Sequence, residues 1–72
     1  MLWIMTNEAL KLGKNLKRIR TEKGISQGDI ARALHAGRSF VSNIENGKTN
    51  PTLATIVKLA KALSVPIESL IK

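Results

Sequence analysis

The stretch Ile25-Ser26-Gln27-Gly28-Asp29-Ile30-Ala31-Arg32-Ala33-Leu34-His35-Ala36-Gly37-Arg38-Ser39-Phe40-Val41-Ser42-Asn43-Ile44-Glu45-Asn46-Gly47 carries the pattern on which the fold turns. Ser26 reads as a helix N-cap, and Asp29 three residues on completes a shortened capping box. Ile30, Ala31 and Leu34 follow at helical spacing and supply an inner face. His35, Ala36 and Gly37 leave room only for a tight turn. A second helix is expected over 38–45, with Val41 and Ile44 inward and Asn46-Gly47 closing it. Two helices joined by three residues have helix-turn-helix dimensions. Spacing alone is a weak signal, because any helical hairpin could show it.

Outward from this pair the pattern stays helical. On the N-terminal side Leu10, Leu12, Leu16 and Ile19 recur with helical period over 6–22. Thr6 or Asn7 is placed to cap that helix, Glu8 suits its positive end, and Gly24 stands where a left-handed residue stops it. Gly13 lies inside it at a cost of about 1 kcal/mol relative to alanine. On the C-terminal side, 48–51 is a polar loop and Thr52 caps a fourth helix through Leu63. Its apolar residues are Leu53, Ile56, Val57, Leu59, Ala60 and Leu63. Pro66 at a first-turn position opens a last short helix over 66–71. No segment alternates with period two and no repeat appears. The expected fold class is all-α, five short helices in one domain spanning 1–72.

The chain has 72 residues, enough for a single core. A body this small buries only about 60% of its unfolded surface, so pairing with a second copy would help it. Cysteine is absent, which removes disulfides and thiolate metal sites. The apolar start, Met1-Leu2-Trp3-Ile4-Met5, is too short for a secretory or membrane segment. A cytoplasmic, nucleoid-associated protein is expected. Twelve Lys and Arg against five Asp and Glu give a net charge of +7, which favours a polyanionic partner over a merely soluble surface. Trp3 and Phe40 are the aromatic residues, too few to stack single-stranded bases, so duplex DNA is the better polyanion.

The run 25–31 with Arg38-Ser39-Phe40-Val41-Ser42-Asn43-Ile44-Glu45-Asn46-Gly47 and Asn50-Pro51-Thr52-Leu53 closely resembles the lambdoid repressor and Cro family, also called the XRE family. The resemblance covers nearly the whole chain, from about residue 12 to 70. The small size and the Arg-Ser-Phe-Val-Ser run look most like the controller proteins of restriction–modification systems. It implies a lambda-repressor-like five-helix domain whose helix-turn-helix spans 26–45. It also implies a homodimeric transcription regulator on a pseudo-palindromic duplex operator.

Site roles follow residue by residue. Arg38, Ser39, Ser42 and Asn43 form a polar stripe opposite Val41 and Ile44, and the resemblance makes them base readers rather than a plain solvated face. Arg38 can take guanine O6 and N7 bidentately. Gln27, at a helix start that favours anions, matches a glutamine that contacts the DNA backbone. Asn46, Lys48, Thr49 and Asn50 match a loop that lies along phosphates. Arg20 and Glu45 match a largely buried ion pair between first and third helices, a scaffold rather than a reading site. Phe40 either packs on the body or touches thymine methyls, with partial packing preferred.

Three positions depart from the family pattern. His35 replaces the usual turn glycine, Ala36 a larger aliphatic plug, and Gly37 a serine or threonine cap. Together they suggest a looser turn. Val65, Ile67, Leu70 and Ile71 look like more apolar surface than one small core needs, and are expected to form the dimer interface. The Leu2-Trp3-Ile4 segment could add to either interface, or be a frayed end. A lone histidine makes a poor metal ligand, and nothing suggests a cofactor or small-molecule site. No phosphate loop, paired carboxylates or nucleophile triad supports an enzyme. An antitoxin that represses its own operon is the main alternative, and would usually need a further segment. An interaction module that keeps this fold without reading DNA is the other.

Overall fold

Backbone handedness, more than side-chain packing, decides where these helices stop. The computed structural model describes residues 7–72 as α1 (Asn7–Glu22), α2 (Gln27–Ala33), α3 (Arg38–Glu45), α4 (Leu53–Leu63) and α5 (Glu68–Ile71), with no strand among the described residues. Thr6 and the apolar start at 1–5 lie outside them. Each of α1 to α4 is followed by a residue with left-handed φ: Gly24 at 70°, His35 at 55°, Gly47 at 71° and Ser64 at 59°. The residue after each one donates its N–H five positions back. The pairs are Ile25 to Arg20 (2.9 Å), Ala36 to Ala31 (2.8 Å), Lys48 to Asn43 (2.9 Å) and Val65 to Ala60 (3.0 Å). These are Schellman endings, which satisfy carbonyls the helix itself cannot. His35 thus carries the left-handed conformation with its Cβ in place. Ser64 does the same at a position with no turn signal in the sequence.

The helix starts follow side-chain chemistry. Ser26 accepts the Asp29 N–H at 3.0 Å while its own N–H donates to the Asp29 carboxylate at 3.2 Å, a complete capping box. Thr52 accepts the Thr55 N–H at 3.2 Å and launches α4. Gly37 is extended and supplies no side-chain cap to α3. α5 begins two residues later than Pro66 suggests and makes a single turn.

One core draws on all five helices. Leu16, Val41, Ile44, Leu59 and Leu70 are fully buried, and Leu12, Ile19, Ile30, Ala31, Ala60 and Leu63 complete it. α1 packs on α3 and α5, and α2 on α3 and α4. Two expectations are corrected here. Leu70 cannot serve a subunit interface, because a core this small uses it to close the base under α1. Val65 and Ile67 also pack half-buried against that core, and Ile71 faces outward with 49% exposure. Leu53, taken for an inward residue of α4, is 69% exposed.

Gly13 has a packing reason. A Cβ there would overlap the carbonyl oxygens of Ile44 and Glu45, the latter at 2.5 Å. The last turn of α3 is therefore seated directly on the backbone of α1. Gly13→Ala should lower stability by about 2 kcal/mol despite alanine's better helix propensity, since backbone cannot yield as a side chain would. Ser64→Gly should raise it by about 1 kcal/mol by relieving a left-handed Cβ. Denaturant midpoints of the two variants moving in the same direction would contradict this account.

Candidate nucleic-acid interface

The side chains of α3 divide cleanly. Val41 and Ile44 are buried completely, while Arg38, Ser39 and Asn43 are exposed and Ser42 is half-buried. The polar stripe expected from the sequence is therefore turned away from the protein's own body. Ser42 Oγ accepts a long hydrogen bond from Asn46 Nδ2 at 3.4 Å, so the two residues support one another at the end of the helix. Asn46, Lys48 and Asn50 are exposed and Thr49 half-buried along the loop that follows. Phe40 is 37% exposed, half on the body and half on the surface, as partial packing requires.

Glu45 ends α3 with its carboxylate turned inward. Its side chain is 3% exposed, and Arg20 of α1 grips it with Nε at 2.6 Å from Oε2 and Nη2 at 3.2 Å from Oε1. Arg20 also donates from Nη1 to the Ile25 carbonyl at 2.9 Å, just ahead of α2. Glu45 has a second partner that the sequence did not signal. Gln27, the first residue of α2, donates from Nε2 to Glu45 Oε1 at 2.9 Å. One carboxylate thus ties three helices, and Gln27 keeps one amide hydrogen and its carbonyl for a second partner. Spacing in the sequence could not show this, because 18 residues and a turn separate the two groups.

The start of α2 and the start of α3 lie side by side. A Cβ on Gly28 would stand 3.7 Å from Arg38 Cδ, so the arginine stem runs past the first turn of α2. Arg38 and the first turn of α2 therefore border one surface, and Gln27 also reaches the end of α3, from which the loop 46–50 leads on. Asp29, in that first turn, stays ionised, with its charge paired to Arg32. Its carboxyl is held below the usual 3.8 by the Ser26 backbone N–H, then by the Ser26 hydroxyl and by Arg32, which pairs with it. The capping box is intact above that ordinary value and is lost as pH falls through the lower folded one.

Two short packed helices joined by a left-handed turn, with an outward polar stripe on the second, make a helix-turn-helix. A helix-turn-helix family model matches residues 16–70. The HTH-type transcriptional regulator y4dJ of Sinorhizobium fredii is 37% identical over 54 residues, covering 75% of this chain and 70% of that one. Other curated relatives are longer, and the chain spans 49%, 38% and 43% of three of them. Among solved structures, the restriction–modification controller protein C.AhdI of Aeromonas hydrophila superposes with a TM-score of 0.84 at 37% identity, covering 90% of this chain and 98% of that one. The controller protein C.Esp1396I, solved as a tetramer with its natural 35 base-pair operator, gives 0.78 at 28% identity over 93% of this chain and 99% of that one. The chain belongs to the helix-turn-helix family, of the XRE type that includes repressors and restriction–modification controllers.

Removing the arginine should expose the weight the scaffold carries. Arg20→Ala leaves the Glu45 carboxylate buried with only the Gln27 amide still bonded to it, and is expected to cost about 3 kcal/mol of stability. A denaturant midpoint unchanged by the substitution would refute the role assigned to the pair.

Proposed function

We propose that this chain is a transcription regulator that reads duplex DNA sequence-specifically as a two-fold symmetric dimer, in the manner of the restriction–modification controllers it resembles. The observation that carries the reading is the sidedness of α3. Arg38, Ser39 and Asn43 stand free on a helix whose opposite residues are entirely consumed by the core. A helix of this kind fits the major groove with its first turn at the base edges. Arg38 takes the role of a bidentate guanine contact, and Ser39, Ser42 and Asn43 read or position neighbouring edges. Gln27, Asn46, Lys48, Thr49 and Asn50 hold the phosphates on either side, fixing register without reading sequence. Such a regulator works on the chromosome, in the cytoplasm and nucleoid. No helix among the described residues is long and apolar enough to cross a membrane.

Selection of duplexes from a random pool tests this directly. The expected winners carry two inverted half-sites with centres roughly 34 Å apart. Arg38→Ala should lose about 1–3 kcal/mol on the winning duplex and much less on random sequence. Failure of any selected duplex to outcompete bulk genomic DNA would end the proposal, and equal loss on both sequences would remove base recognition by Arg38.

Symmetry requires an interface, for which the exposed apolar residues are the candidates. With Leu70 inside, the large outward apolar residues away from α3 are, among the described residues, Ile71 on α5 and Leu53 and Val57, one turn apart on α4. A pocket of about 260 Å³, lined in part by Ile56, Pro51 and Ile71, joins the start of α4 to the end of α5. Covering this face suits a domain whose own core is small. Sedimentation should give the mass of two subunits for the wild type and of one for Leu53→Glu. A wild-type mass of one subunit throughout the loading range would defeat the dimer.

A further inference from the structure

The reading surface described so far uses few of the chain's cations. Of its twelve Lys and Arg, Arg38 and Lys48 lie on that surface, while Arg18, Arg20 and Arg32 are paired with Glu22, Glu45 and Asp29. Among the described residues no ion pair involves a lysine. The question is where the remaining lysines sit relative to α3 and its loop.

The rotation of α1 about its axis is fixed by three contacts. Gly13 lies against the carbonyls of Ile44 and Glu45, Arg20 reaches Glu45, and Leu10 Cδ2 stands 2.6 Å from where a Cβ on Gly47 would be. Leu10 therefore marks the flank of α1 that borders the end of α3 and the loop carrying Lys48. At 3.6 residues per turn, Lys14 and Lys17 fall within about 40° of Leu10 on the helix wheel. Both are exposed. The acidic residues of α1 are elsewhere: Glu8 and Glu22 fall about 120–160° from Leu10, and Arg18 lies 3.6 Å from Glu22 on that far side. Asn15, also turned away, donates to the Leu70 carbonyl at 2.8 Å and marks the α5 side. Thr21 shares the lysine flank, but its hydroxyl is spent on the carbonyls of Lys17 and Arg18. On α1, Lys14 and Lys17 thus lie toward the reading surface and Glu8 and Glu22 away from it, while Lys11 falls about 100° round from Leu10.

We propose that Lys14 and Lys17 form a second phosphate-binding edge, which extends the DNA footprint of the loop 46–50 onto the backbone flanking each half-site. The inference rests on the DNA reading above. Its occupant is duplex phosphate, because the flank is continuous with the reading surface and carries cation without acid. Flexible lysine stems suit a contact that adds affinity without sequence preference.

The test is the salt dependence of binding to the selected operator set in a longer duplex. Lys14→Gln/Lys17→Gln should reduce the slope of log affinity against log salt by about 1.8, roughly 0.9 for each phosphate released. Between 50 and 200 mM salt the variant would then lose roughly tenfold less affinity than the wild type. Its base preferences and melting temperature should not change, since both side chains are exposed. Lys61→Gln/Lys72→Gln removes the same charge from outside the flank and should leave the slope near that of the wild type. A wild-type slope in the first variant, or an equal reduction in both, would overturn the assignment. A wild type that prefers no duplex would instead sink the DNA reading beneath it.

Discussion

The Glu45 carboxylate is the constraint around which this small domain is organised. It sits at the end of α3, nearly sealed from solvent, and takes hydrogen bonds from Arg20 of α1 and Gln27 of α2. Stripping water from a charge costs several kcal/mol, and a buried pair recovers that only when its geometry is good. Here the arginine engages both oxygens, so the pair is well made. What it contributes is orientation. Three helices that meet at one anion cannot slide or roll independently, and the direction in which Arg38 points is inherited from that meeting.

Close backbone approach does the rest of the aiming. Gly13 admits the last turn of α3 onto α1, and Gly47 leaves space for Leu10 beside the following loop. Ala31 is small enough to be buried where α2 meets the core. Apolar side chains then fill a volume whose shape these contacts have already set. The core is so limited that it recruits Leu70 from the last turn of the chain. This leaves α3 free of internal duties on one side, where recognition can be varied without touching stability.

Electrostatics follows the same division. Glu45 is buried with a partner, and Asp29 is tied into local structure by Ser26 and Arg32. Among the described residues the cations other than Arg20 are exposed. A positive field of this kind accelerates encounter with a polyanion and supplies sequence-independent affinity, while a few fixed groups supply discrimination. The two controller proteins share this fold with the chain.

Much of this was legible in the residues alone, where the cause is local. Ser26 with Asp29, the glycines at 24 and 47, and the spacing of Val41 and Ile44 act within a turn or two of helix, so they can be read in order along the chain. His35 was legible as a strained substitute for glycine for the same reason. The remainder depends on how distant segments return to one another. Leu70 is inside and Leu53 outside although both belong to apolar runs, because burial is settled by which neighbour covers a face and not by hydrophobicity. Gln27 reaches Glu45 and Gly13 meets two carbonyls through packing between helices that the linear order does not bring together.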